Sequence, residues 1–177
     1  MNKLEEFLDN FINIKYAYSE TVEYNKPPFY FLEKEDYKLN EIKLSDIKKQ
    51  GINCVGLINI IRRHYNLEIP KDKNGNHEGT STWFEYLNKN NFLEKIDYKK
   101  IYETGTLLIQ DYNPEDQGHV AIIINKNNDI LINSYKIHAI EHPGSKKYNK
   151  VIKEKFMDYP FYKRYTHICK SDNWINR

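Results

Sequence analysis

Cysteine is scarce in this sequence, with only Cys54 and Cys169 among 177 residues. That density is far below a secreted disulfide scaffold, so free thiols and a reducing compartment are expected, with one disulfide left open. A chain of this length buries enough surface to need no staple. Long apolar runs are missing as well, which excludes a membrane span. The opening MNKLEEFLDNFINIKY carries acidic residues inside its apolar pattern, unlike a secretory signal. A cytoplasmic, viral or phage-associated location is therefore expected. Charge of one sign is lacking too: 27 basic and 25 acidic residues leave a net charge of +2, which gives no electrostatic footprint for nucleic acid. The glycine loop KNGNHEG lacks the following lysine and hydroxyl of a phosphate loop, and no strand precedes it. No repeat or linker divides the chain, so residues 1–177 are expected to form one domain.

What is present is the composition of an ordinary folded domain, with 40% hydrophobic and 29% charged residues. Leu4, Phe7, Leu8, Phe11, Ile12 and Ile14 recur at mostly helical spacing and predict an amphipathic helix over residues 2–14. Ser45 and Asp46 are candidate caps of a brief helix ending before Gly51. Asn53 is a suitable N-cap for a helix carrying Leu57, Ile58 and Ile61 on one face, with Cys54 in its first turn. A further helix near 80–90 would be capped by Thr80 or Ser81 and turn Trp83, Phe84 and Leu87 inward. Beyond Gly105 the pattern changes to β-rich runs, TLLIQDY, HVAIII, DILINSY and FYKRYTHIC, which predict an antiparallel sheet. KKYNKVIKEK reads as a solvated helix face.

A cysteine nucleophile needs its thiolate, which a helix N-terminus and a nearby imidazolium both favour. Cys54 is placed for the first. His119 follows Gly118 and opens a strand, where an imidazole can meet a helix terminus. A loop at 125–129 would pair Ile124 with Ile130 and set Ala121 opposite Asn133, making Asn133 a diagonal neighbour of His119 and a candidate to orient its ring. Cys169, inside the closing strand, is expected to be inert.

INCVGLINIIRRH, ETGTLLIQDYNPEDQGHVAIII and ILINSY resemble, in order and spacing, three motif blocks of the NlpC-type cysteine hydrolases, members of the papain-like superfamily. Those blocks read roughly D-C-S-G-L-V, then P-G-D-L-V-F before G-H-V-G-I, then I-H-A or I-H-S. The resemblance covers about residues 50–135, while residues 1–50 match only loosely. It implies an α+β papain-like fold with the nucleophile helix packed on an antiparallel sheet. Catalysis would fall to Cys54, His119 and Asn133, acting on a peptide or amide-containing substrate without a cofactor. Acyl transfer or thioester hydrolysis on the same fold, or an inactive binding module, are the rivals. Asn53 and Val55 stand where the family often has Asp and Ser that receive substrate, which weakens a cell-wall assignment. The family's substrate-contacting upstream tyrosine could be Tyr24, Tyr30 or Tyr37. By ligand type alone, His138, His142, His167 and Cys169 could form a zinc site. Pro143 disfavours the helical backbone that would align the first two, so solvated loop histidines are expected.

Overall fold

The computed structural model describes residues 3–17, 43–73, 79–110, 118–141, 145 and 147–175. The opening periodicity produces helix α1 (Lys3–Asp9), which ends short of residue 14 because the chain turns over residues 10–13, with Asn13 at φ 68°. Leu8, Phe11 and Ile14 are still buried. Helix α2 (Leu44–Gln50) is preceded by Lys43, which gives no side-chain cap, so Ser45 and Asp46 lie inside the first turn rather than capping it. Helix α3 (Cys54–His64) starts as expected: Asn53 Oδ1 accepts from the Gly56 N–H at 2.6 Å. Arg62, Arg63 and His64 in its last turn complement the helix dipole. Helix α4 (Gly79–Lys89) begins before either expected cap, which puts Thr80 and Ser81 inside its first turn. Trp83 and Leu87 are buried, and Phe84 is half-buried.

Strands β1 (Glu94–Lys95), β2 (Leu107–Gln110), β3 (His119–Ile124), β4 (Tyr135–Ile140), β5 (Lys150–Lys155) and β6 (Tyr165–Cys169) form one antiparallel sheet, ordered β1-β6-β2-β3-β4-β5. A short α5 (Ser171–Trp174) follows, and its Trp174 indole donates to the Gly105 carbonyl at 2.8 Å. Period-2 alternation sends Leu107, Val120, Ile122, Ile137 and Val151 to one face, beneath α1, α3 and α4. Leu108, Ala121, Ile123, Ile140 and Ile152 face the other way, under Tyr148, Phe156, Tyr159 and Tyr165. Each aliphatic side chain fully buried in either layer contributes roughly 1.5–3 kcal/mol.

Three expected elements differ. DILINSY is not a strand: Leu131–Asn133 form a 3-10 turn, and β4 starts only at Tyr135. Leu131 drops into the aromatic layer, and Ser134 Oγ donates to its carbonyl at 2.8 Å. Asn125 clamps the loop by donating from Nδ2 to the Tyr102 and Asp129 carbonyls, both at 2.8 Å. The β3–β4 connection is therefore longer than the expected five-residue loop. KKYNKVIKEK contributes β5 rather than a helix, because Val151 and Ile152 each meet one of the two apolar layers. In FYKRYTHIC only Tyr165–Cys169 is strand, and it lies between β1 and β2 rather than closing an edge.

Candidate active site

Cys54 is the first residue of α3 and is 8% exposed. His119 is the first residue of β3 and is half-buried. Gly118 before it has φ 71°, and a Cβ there would come within 2.8 Å of Thr80 Oγ1, so glycine lets the start of β3 press against the first turn of α4. Cys54 and His119 line a single open cavity of about 590 Å³, together with Tyr16, Asn53, Val55, Asp72, Lys73, Thr80, Ser81 and Glu85. Tyr16 reaches it through a parallel bridge to Ile52, two residues before Cys54. Asn53 and Val55 are thus at the cavity, although the Asn53 amide oxygen is already engaged in capping. Tyr24, Tyr30 and Tyr37 lie outside the described residues. Tyr16, which the sequence reading did not single out, lines the cavity.

The longer β3–β4 connection shifts the register. Ile124 pairs with Tyr135 and Ile122 with Ile137, which sets His138, not Asn133, across from Ala121 and diagonal to His119. Asn133 is exposed in the 3-10 turn. His138 takes the position expected of it: His119 Nε2 and His138 Nδ1 are 2.9 Å apart. The sequence carries a signal for this, because Ile137, His138 and Ala139 spell the I-H-A block of the resembled family.

His138 is 0% exposed, so it is not a solvated loop histidine. Its Nε2 lies 2.7 Å from Lys136 Nζ and 3.0 Å from Glu154 Oε1, and Lys136 Nζ donates to the same carboxylate oxygen at 2.7 Å. Lys147 pairs with Glu154 Oε2 at 2.7 Å from the surface. Tyr159 packs over Lys136, whose Nζ is 4.5 Å from the ring centroid. Burial lowers the pKa of Lys136 from its ordinary value, although Glu154 opposes the shift. Burial also lowers His138, reinforced by the Lys136 charge. Glu154 is partly raised by burial, but hydrogen bonds from His138 and Lys136 and the lysine charges hold it well below the usual carboxylate range. His119 is lowered well below an ordinary histidine by burial and then by His138 and Lys136. The imidazolium expected beside Cys54 is therefore disfavoured, and the ring is neutral at neutral pH.

Cys169, unlike Cys54, does not line the cavity. It is 0% exposed, and burial pushes its thiol up to about 12. Both cysteines are free. The mixed zinc set does not assemble from the described residues: His138 on β4 and His167 on β6 are separated by two strands, roughly 14 Å at ordinary strand spacing. His142 lies outside the described residues. Among the described residues, no group of three or more His, Cys, Asp or Glu side chains converges as a metal site. No helix there is long and apolar enough to cross a membrane.

No protein-family model matches the chain, and a search of the curated proteins finds no match. Among solved structures, the chain is similar to an N-acetylmuramoyl-L-alanine amidase from Bacteroides uniformis at 12% identity and a TM-score of 0.46, over 93% of this chain and 96% of that one. At that distance the likeness carries no argument about chemistry here, and the reading of the site rests on its own geometry.

Proposed function

We propose that this chain is a papain-like cysteine hydrolase of amide or peptide bonds, with Cys54 as nucleophile, His119 as general base and His138 as the group that orients His119. The observation that carries this reading is the convergence on one cavity of a cysteine at a capped helix N-terminus and a histidine held through its far nitrogen by a second histidine. Such a nucleophile, base and orienting group is the general form of the catalytic triad.

His119 Nε2 is engaged by His138, which leaves Nδ1 to accept the Cys54 proton as sulfur attacks the carbonyl carbon. The backbone N–H of Cys54, at the positive end of α3, faces the developing oxyanion. Collapse of the tetrahedral intermediate expels the amine, which takes the proton back from His119. Water, deprotonated by the same ring, then resolves the thioester into acid and free thiol. The hydroxyls of Thr80 and Ser81 and the charges of Asp72, Lys73 and Glu85 suit a polar peptide or amide better than an acyl chain. Tyr16 is placed to contact that substrate.

The test is hydrolysis of a panel of peptide, amide and thioester substrates by the wild type, Cys54→Ala and His119→Ala. Both substitutions should lower turnover by at least about 10³-fold, while a chelator leaves it unchanged. Amide hydrolysis that survives Cys54→Ala intact rejects the thiol mechanism. Thioesters cleaved in preference to amides would move the assignment to the thioesterase reading.

A further inference from the structure

The His119–His138 contact continues into a buried triangle, two of whose corners, Lys136 and Glu154, the proposed mechanism does not use. Lys136 and His138 are 0% exposed and Glu154 is 5% exposed, and they lie on the aromatic face of the sheet rather than in the cavity. A buried cation and anion are costly to retain for stability alone, since an apolar set of similar volume often serves as well or better. Here both charged groups address one atom, His138 Nε2: a carboxylate oxygen that can only accept at 3.0 Å, and an ammonium that can only donate at 2.7 Å.

A neutral imidazole carries one hydrogen, so His138 Nε2 can satisfy one of these neighbours but not both. If the hydrogen is on Nε2, it is donated to Glu154. His138 Nδ1 then accepts from His119 Nε2–H, and His119 Nδ1 is free to take the Cys54 proton. If Nε2 instead accepts from Lys136, His138 Nδ1–H is donated to His119 Nε2. The single hydrogen of His119 then sits on Nδ1, and the ring cannot act as base toward the thiol. Resting on the reading of His119 as base, we propose that Glu154 and Lys136 are positioning residues that compete for His138 Nε2, Glu154 selecting the working tautomer of His119 and the Lys136 charge holding the idle one.

Other charged and titratable groups surround the triangle. Lys147 and Tyr148 flank Glu154, Asp158 and Tyr159 face Lys136, and Tyr165 and Cys54 lie on the His119 side. Burial lowers the pKa of Lys136, so its charge is lost at a lower pH than that of an ordinary lysine. Loss of that charge weakens the hold on His138 Nε2, because the neutral amine keeps two N–H groups but is a far poorer donor than the ammonium, and the balance tips to Glu154.

The experiment that tests this is ¹⁵N NMR of the imidazole nitrogens across neutral and alkaline pH, combined with the rate of Cys54 alkylation by iodoacetamide. In the wild type, the His119 hydrogen should move from Nδ1 to Nε2 along a limb that lies below the ordinary lysine value. Lys136→Met leaves Glu154 paired with Lys147. It should fix the Nε2–H tautomer of His119 at every pH and raise alkylation at neutral pH several-fold. Glu154→Gln should fix the opposite tautomer and lower alkylation by about 10–100-fold, the usual loss on removing a supporting partner. The wild-type titration needs no variant to fold, and unchanged tautomers of His119 and His138 across it overturn the proposal. His119→Ala separates the two layers of inference. If it leaves Cys54 alkylation unchanged, the base reading itself fails. If it slows alkylation while Lys136→Met and Glu154→Gln leave the tautomers as in the wild type, only the competition is rejected.

Discussion

Beneath α3 the sheet is aliphatic, with Leu107, Val120, Ile122 and Ile137 meeting Leu57, Ile58 and Ile61, whereas its opposite face buries Lys136, His138 and Glu154 among tyrosines. The first face needs only apolar area, and any side chain of suitable shape contributes to it. The second holds groups that are tolerable only because each hydrogen bond is placed, and loss of one partner leaves another stranded. One face is built for stability. The other controls which nitrogen of His119 is available at the cavity.

The sharpest way to break this comparison is His138→Ala. Turnover should fall by roughly 10²–10⁴-fold with thiol accessibility retained, because an unoriented base supplies the wrong tautomer. Asn133→Ala, in the exposed turn, should change neither turnover nor stability beyond about 0.5 kcal/mol. Equal losses from the two substitutions would return the orienting role to Asn133.

On the helix face, Leu57→Ala should cost about 2–5 kcal/mol through lost burial and a residual cavity. The urea midpoint should drop with an unchanged slope, while the His119 tautomer in the protein that remains folded stays the same. A changed tautomer would show that the two faces are coupled.

Acid should weaken the aromatic face selectively. Burial lowers both His119 and His138, so as pH falls below the unfolded histidine value of about 6.5 the unfolded chain binds protons that the fold refuses, and stability declines. Glu154 is held below the usual carboxylate range, so its contribution is present above the unfolded carboxylate value and is lost only at still lower pH, as it falls through the folded value. Lys136 is charged in both states throughout this acidic window and adds no slope. Urea midpoints measured between pH 7 and pH 5 should fall in the wild type and fall less in His138→Asn. A midpoint that holds steady or rises on acidification contradicts the buried neutral rings.

Apart from the neutral Asn133→Ala control, the smallest effect belongs to the helix entry. Asn53→Ala removes the bond accepted from the Gly56 N–H and should cost about 1 kcal/mol, with a modest slowing of Cys54 alkylation as the helix start frays. Alkylation unaffected by a measurable loss of stability would show that the thiol does not depend on a well-formed helix terminus.

Legibility followed the same division. The spacing of Leu57, Ile58 and Ile61 and the cap at Asn53 depend on neighbours within a few residues, so α3 and the placement of Cys54 were readable. The run VAIII marked β3 for the same reason. DILIN misled because its β-branched and aliphatic content suits a strand, yet Leu131 is claimed by the aromatic layer and Asn125 closes a longer loop. KVIKEK looked like a charged surface because lysine and glutamate normally face water. Nothing local reveals that Glu154 turns inward to Lys136.

By itself, the sequence determined the helical presentation of Cys54, the strand that begins at His119, the antiparallel character of the sheet and the burial of Cys169, because each follows from short-range periodicity, capping or local hydrophobicity. Tertiary structure decided which residue stands behind His119, although the run Ile137, His138, Ala139 carried a hint of it. In a sheet, partners are set by register, and the longer β3–β4 connection shifts it by five residues, which puts His138 rather than Asn133 opposite Ala121 and turns every β4 side chain to the other face. It also decided that Lys136 and Glu154 meet, since they belong to different strands and are brought opposite one another only by the pairing of β4 with β5.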